Sequence, residues 1–143
     1  MAIKQLSIFV GNNNGSLAEI TGAFADVGIN LRAMSVADTQ DYGILRIIVS
    51  DSERAALLMR EKGYIFSVTE VVAASIPNQP GGLAKVLNLL SDNEISVEYI
   101  YAFVATAKDN AYVVLRVNDN EKTDKLLSEN AINTITDADI ANL

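Results

Sequence analysis

Residues 10–31, VGNNNGSLAEITGAFADVGINL, decide the fold because their pattern returns at residues 76–97 as IPNQPGGLAKVLNLLSDNEISV. The two stretches lie 66 positions apart and share Asn, Gly, Leu, Ala and Ile at matching places. Further on, VSDSER at 49–54 matches VNDNEK at 117–122 with a separation of 68, so the second copy carries two extra residues. Apolar and turn positions stay in phase, which predicts a duplicated unit. The alternative is a chance likeness between two similar strand-and-helix patterns.

The first strand and helix of copy one have the clearest signals. Apolar residues alternate over 3–10, as in a strand with one buried face, and recur every three or four residues over 17–27, as in an amphipathic helix. Ser16 stands three residues before Glu19, the spacing of a capping box, so the helix is predicted to begin there. Gly28 suits the position just after the helix.

The remaining segments complete a β-α-β-β-α-β pattern in each copy, which is the ferredoxin-like arrangement. In copy one we expect strands at 29–37, 44–49 and 64–70 and a helix capped by Asp51. In copy two we expect strands at 71–76, 95–105 and 112–117, two helices, and a weakly strand-like segment at 132–140. The predicted fold class is α+β: two ferredoxin-like units packed together, with antiparallel sheets and helices on one face. The predicted domains are 1–70 and 71–143, and no Gly/Ser/Pro-rich linker separates them.

Composition excludes several classes of function. The 143 residues include no Cys and no His, which excludes disulfides, a cysteine nucleophile, a Ser-His-Asp triad and His or Cys metal ligands. The net charge of −7 argues against binding to a nucleic-acid backbone. No apolar run approaches a membrane span and no signal peptide is evident, so we expect a cytoplasmic protein without cofactor or metal.

The turn before the first helix of each copy is the candidate ligand site. Asn12-x-x-Gly15-x-Leu17 recurs as Asn78-x-x-Gly81-x-Leu83. Backbone N–H groups of a first helical turn lack intrahelical acceptors and attract a carboxylate, while Asn amides and strand carbonyls can accept from an ammonium group. This combination suits an α-amino acid. The alternative is an ordinary turn, because Asn and Gly both tolerate left-handed backbone. The candidate residues are Asn12, Asn13, Asn14, Gly15, Ser16, Leu17, Asn78, Gln79, Gly81, Gly82 and Leu83.

At these turns the chain resembles the ACT domain family of amino-acid-sensing modules, and the resemblance covers both copies. It rests on the repeated Asn-x-x-Gly-x-Leu pattern, on Gly28-Ile29-Asn30-Leu31 after the first helix and on Pro80-Gly81 in copy two. The resemblance implies that Asn12 and Asn30 contact the ligand, that Met34 can line the same site, and that the ligand lies between domains. Copy two departs from the pattern at Glu94 and Ser96, which makes copy one the better candidate.

Three further features allow structural interpretations. Arg46 and Arg116 lie among apolar strand residues and are predicted to face an edge or an interface, with binding of a ligand carboxylate as the alternative. Tyr99, Tyr101 and Phe103 alternate along one strand, which favours burial of an open sheet face against a partner. Stacking on a nucleic-acid base is the alternative, and the acidic charge disfavours it.

The predicted function is that of a non-catalytic regulatory protein that binds an amino acid and acts in trans on amino-acid metabolism, for instance on a biosynthetic enzyme. A ligand bridging the copies would shift the population of their arrangements. A homodimer is expected, with neither nucleic-acid nor membrane partners. The alternative is a ligand-free interaction module that docks on an enzyme, and a small enzyme using Tyr, Lys or carboxylates is a third possibility.

Overall fold

The computed structural model describes residues 2–11, 15–38, 42–104 and 109–143. The predicted ligand residues Asn12, Asn13 and Asn14 lie outside these described residues. In chain order the elements are β1 (Ile3–Gly11), α1 (Ser16–Asp26), β2 (Leu31–Asp38), β3 (Tyr42–Val49), α2 (Ser52–Glu61), β4 (Phe66–Pro77), α3 (Gly82–Asp92), β5 (Val97–Ala102), β6 (Asn110–Val117), α4 (Asn120–Glu129) and α5 (Asp137–Ala141).

The two ferredoxin-like units share one curled, antiparallel sheet of six strands in the order β2-β3-β1-β4-β6-β5. This confirms the predicted fold class. The two strands predicted at 64–70 and 71–76 are instead one strand, β4, which pairs with β1 up to Val71 and with β6 from Val72 onward. The physical reason is that residues 66–76 contain no Gly, Pro, Asn or Asp at which the chain could turn.

The helices cover one face of this sheet and form a separate core in each copy. In copy one, Leu6 and Ile8 of β1 pack with Phe24 of α1 and Met59 of α2. In copy two, Val72 of β4 and residues of β6 pack with α3 and α4. Both cores follow the predicted alternation of strands and the predicted helical stripes.

The opposite face of the sheet lies between the two copies. Its buried cluster includes Ile3, Ala33, Val71, Phe103 and Ile140. The sheet curls so far that its two edges meet: Ala33 of β2 bridges Phe103, and the N–H of Val104 donates to the carbonyl of Arg32 at 2.8 Å. The alternating aromatic residues therefore cover the open face, as predicted, and the cover is the other copy of the same chain.

Helix termini include one wrong prediction. Helix α1 begins after Gly15, whose φ is 88°, and no side chain caps it, so Ser16 and Glu19 form no capping box there. With Ser16 as the cap the helix would begin at Leu17, but it begins at Ser16, one residue earlier, because the left-handed glycine, rather than the serine, precedes its first turn. The prediction for Asp51 is confirmed, since its side chain accepts from the N–H of Arg54 at 3.1 Å.

The segment 132–140, predicted to be weakly strand-like, makes only a short contact with the sheet, and its second half is helical in α5 instead. Ala74 bridges Thr134, with hydrogen bonds from Ser75 N–H to the carbonyl of Asn133 (2.9 Å) and from Ile135 N–H to that of Ala73 (2.8 Å). In copy one, the matching position beside the sheet is occupied by the first half of β4. The difference leaves one side of copy two less covered than the matching side of copy one.

Candidate functional site

The turn between β4 and α3 is tightly wound. Gly81 has a φ of 85°, which favours glycine, and helix α3 starts directly after it. A Cβ on Gly82 would lie 2.2 Å from the carbonyl oxygen of Pro77, so only glycine fits there. The N–H of Gln79 donates to that same Pro77 carbonyl at 3.0 Å, and the N–H of Gly82 donates to the carbonyl of Gln79 at 3.0 Å. The predicted turn is therefore held by its own backbone.

A cleft of about 1010 Å³ opens beside this turn. Three of the predicted ligand residues, Gln79, Gly81 and Gly82, line the cleft together. Its other walls are α3, the end of β4, Asn110 and the segment 130–133. All of these residues belong to copy two, so this cleft does not lie between the copies of one chain.

Two other predicted residues of this turn lie outside the cleft lining. Asn78 is exposed, and its N–H donates to the carbonyl of Asp109 at 2.9 Å. Leu83 is 37% exposed, and Leu17, its equivalent in copy one, is 38% exposed. Both leucines follow a left-handed glycine at a helix start, so each copy presents an apolar side chain beside its turn.

Asn30 and Met34, two copy-one residues implied by the family resemblance, do not join the cleft. The N–H of Asn30 donates to Ser50 Oγ at 3.0 Å, and its carbonyl accepts from Ser50 N–H at 2.9 Å, while the residue as a whole is exposed. Copy two has the reverse arrangement, with Asn118 Oδ1 accepting from Ser96 N–H at 2.9 Å. Met34 lies on the helix side of edge strand β2 and is 36% exposed.

A polar network on the inner face joins the two copies, and sequence reasoning missed its central residue. Gln5 is 0% exposed. Its Nε2 donates to Ser7 Oγ at 3.0 Å and to Tyr99 Oη at 2.8 Å, and its Oε1 accepts from Tyr101 Oη at 2.7 Å. The signal in the sequence was a glutamine in phase with Ile3 on the inward side of β1, where a polar side chain must find partners.

Arg46 lies beside this network. Its guanidinium sits 3.9 Å from the centre of the Tyr99 ring, a cation–π contact. Arg116 pairs with Glu98 at 3.3 Å and donates to the carbonyl of Glu70 at 3.0 Å. Both arginines thus lie where the two copies meet, in agreement with the predicted interface role.

Two tyrosines have strongly perturbed acidity. Burial, the hydrogen bond to Glu19 and the charge of that carboxylate together raise the pKa of Tyr64 to about 12. Burial also raises the pKa of Tyr101 well above its usual value, with Tyr99 adding to the effect and Arg46 opposing it. The hydroxyl of Tyr64 donates to Glu19 Oε1, which links the end of α2 to α1.

The architecture is that of two ferredoxin-like units fused side by side, with a glycine turn before the first helix of each unit. The family described as the ACT domain pair matches residues 1–143, and the chain belongs to that family. No curated protein matches the sequence significantly.

Solved structures show the same fold. A crystal structure of a Bacteroides thetaiotaomicron protein is 38% identical with a TM-score of 0.93, and the match covers 100% of this chain and 98% of that one. The regulatory subunit of aspartate kinase from Thermus thermophilus is 16% identical with a TM-score of 0.65, over 88% of this chain and 91% of that one. The corresponding Thermus flavus subunit is 16% identical with a TM-score of 0.62, over 87% and 88%. At such identities the Thermus structures show the fold alone.

Across the described part of the chain, none of the helices has the length and apolar character needed to cross a bilayer.

Proposed function

We propose that the chain is a non-catalytic regulatory protein that binds a free amino acid. The observation that carries this proposal is the duplicated turn: Gly15 and Gly81 both have positive φ, and α1 and α3 each start immediately after one of them. The N–H groups of a first helical turn lack intrahelical acceptors, so in both copies the helix start that follows this glycine suits a carboxylate. Membership of the ACT domain pair family supports the same role.

The ligand residues of this proposal are those predicted from the sequence, at the turns that follow β1 and β4 and at Asn30 and Met34. The regulatory subunits of aspartate kinase share the fold, and by fold analogy we propose that this chain acts in trans on a separate enzyme of amino-acid metabolism in the cytoplasm. The layer between the copies is buried and includes Ile3, Val71 and Phe103, which leaves them little room to rotate. The two states that a ligand shifts are therefore arrangements of two chains in a homodimer.

A thermal-shift screen of the purified protein against the twenty amino acids tests this proposal. A ligand present at about one hundred times its Kd adds roughly 2.7 kcal/mol of stability. For a chain of this size that corresponds to a rise in Tm of roughly 5–10 °C. A flat screen would contradict amino-acid binding. Asn12→Ala with Asn30→Ala should remove the shift caused by a ligand held in copy one, and Ser96→Ala, the change at the copy-two equivalent of Asn30, is the matched control.

A ligand-free interaction module is the second candidate, and an exposed apolar edge favours it. Met34 and Val36 lie on the same side of edge strand β2 and are 36% and 45% exposed. Edge strands with exposed apolar residues pair readily with other chains. Light scattering of Val36→Lys tests this contact, with Ile65→Lys as a control at another exposed apolar residue. A dimer that persists in the Val36 variant places the interface elsewhere.

A further inference from the structure

The two copies differ in their aromatic residues at three matched positions. Copy one has Phe9 on β1, Tyr42 on β3 and Tyr64 after α2. The rings of Phe9 and Tyr42 are 5.7 Å apart, and the hydroxyl of Tyr64 reaches Glu19 on α1. Phe9 and Tyr42 are in phase with Ile3 and Ile48 and so lie on the face of the sheet opposite the helices, whereas Tyr64 packs against the core on the helix side.

Backbone pairing identifies the equivalent positions in copy two. Tyr42 pairs with Gly11, as Asn110 pairs with Pro77. Phe9 N–H donates to the carbonyl of Ile65 at 2.9 Å, and Ser75 N–H donates to that of Asn133, also at 2.9 Å.

The third equivalence follows from the ends of α2 and α4. Tyr64 N–H donates to the carbonyl of Met59 at 3.0 Å, and Ile132 N–H donates to that of Leu127 at 2.9 Å. The three aromatic residues of copy one are therefore replaced in copy two by Ser75, Asn110 and Ile132.

All three smaller residues line the cleft of about 1010 Å³. Ile132 packs on the helix side of copy two, as Tyr64 does in copy one, so this part of the cleft lies where copy one places the Tyr64 ring. Its charge also differs: Lys85, a lining residue, is the fourth residue of α3, whereas Glu19 is the fourth residue of α1. Where copy one has a tyrosine hydroxyl and a carboxylate acceptor, copy two has an open space and an ammonium group.

We propose that the cleft of copy two binds a small aromatic carboxylate, either an aromatic amino acid or its keto acid. The ring takes the place that Tyr64 has in copy one, against Ile132 and Leu89, which are half-buried lining residues. The carboxylate pairs with Lys85, and the amides of Gln79 and Asn110 supply further donors and acceptors. This inference rests on the proposed function and deepens it by adding a second site, in copy two, and naming the class of ligand that this site takes.

The test is titration calorimetry of the full chain with L-phenylalanine, L-tyrosine, phenylpyruvate and phenylalaninamide, with L-leucine for comparison. Ile132→Tyr combined with Lys85→Glu restores the copy-one pair inside the cleft and should weaken binding of the aromatic carboxylate by roughly tenfold or more. Tyr64→Ile is the matched control in copy one and should leave affinity within about twofold. Lys85→Met should weaken phenylalanine by roughly fivefold and leave the uncharged-carboxyl amide unchanged. Thermal melts check that each variant folds.

The outcomes separate this inference from the proposed function. Binding of phenylalanine or tyrosine, lost in the double variant and kept in Tyr64→Ile, supports both. Binding of phenylpyruvate alone, with the same dependence on the cleft, supports the cleft site and contradicts an amino-acid sensor. Binding of another amino acid that the double variant leaves intact overturns the cleft site and keeps the proposed function. Absence of binding by all of these probes and by the twenty amino acids overturns both.

Discussion

Replacing Gln5 by methionine tests whether the inner polar network holds the two copies together. The side chain is fully buried and makes three hydrogen bonds, two of them to Tyr99 and Tyr101 of the other copy. Methionine keeps the volume but removes every donor and acceptor. At about 1 kcal/mol net for each hydrogen bond, the expected loss of unfolding free energy is about 3 kcal/mol. For a chain of this size the Tm should fall by roughly 9 °C.

A double-mutant cycle with Tyr101→Phe shows whether the loss comes from this network. Tyr101→Phe alone leaves Gln5 Oε1 without its donor and should cost about 1–2 kcal/mol. If the hydroxyl and the amide act together, the double variant should lose at least ~1 kcal/mol less than the sum of the single losses, because the second change removes a group that already lacks its partner.

Urea denaturation followed by far-UV circular dichroism measures each variant. Gln79→Met replaces an exposed glutamine and should change stability by no more than about 0.5 kcal/mol. Additive losses in the cycle, or a loss for Gln5→Met as small as that of the control, would refute the network as a stabilising link between the copies.

Three further predictions follow from local features. Glu94 follows α3 with a φ of 60°, so Glu94→Gly should raise stability by about 1 kcal/mol in urea denaturation, with Glu94→Ala, which removes the charge but not the strain, giving no such gain. Gly82→Ala should lower stability by roughly 2 kcal/mol or more in the same assay, since the added Cβ would meet the Pro77 carbonyl at 2.2 Å, and an unchanged midpoint would contradict this geometry. The pKa values of Tyr64 and Tyr101 are raised in the folded chain, so the stability they contribute is full below pH 10 and is lost above it as the unfolded chain ionises first. Stability measured between pH 9 and pH 11 should therefore fall less steeply in Tyr101→Phe than in the parent protein.

Much of the fold could be predicted because its signals are local. Alternation along β1 and the apolar stripe of α1 depend only on which side chains must leave water, and the structure confirms both. The start of α1 could not be predicted as well, because Ser16 and Gly15 compete for the cap position. The left-handed conformation of Gly15 at the end of the turn determines where the helix begins, and the φ of this glycine depends on how the preceding strand enters the turn.

The contacts between the two copies could not be predicted from the spacing of residues in the sequence. Gln5 is a polar residue in an apolar phase, and the sequence shows that it needs partners without naming them. Its partners Tyr99 and Tyr101 are more than ninety positions away. Only the curl of the sheet, which brings β2 against the end of β5, places those hydroxyls over β1.

The cleft illustrates the opposite case, in which the sequence held a signal that a motif search does not use. Matching the two copies by their conserved turn directs attention to residues that they share. Ser75, Asn110 and Ile132 stand out only when the copies are compared for what they do not share, since each is smaller than its aromatic counterpart. In a duplicated fold the backbone is held by the shared residues, so a loss of side-chain volume in one copy leaves space at a known place. The same comparison places a positive charge at Lys85 beside that space, which is why we place a second ligand site in the copy with the weaker motif.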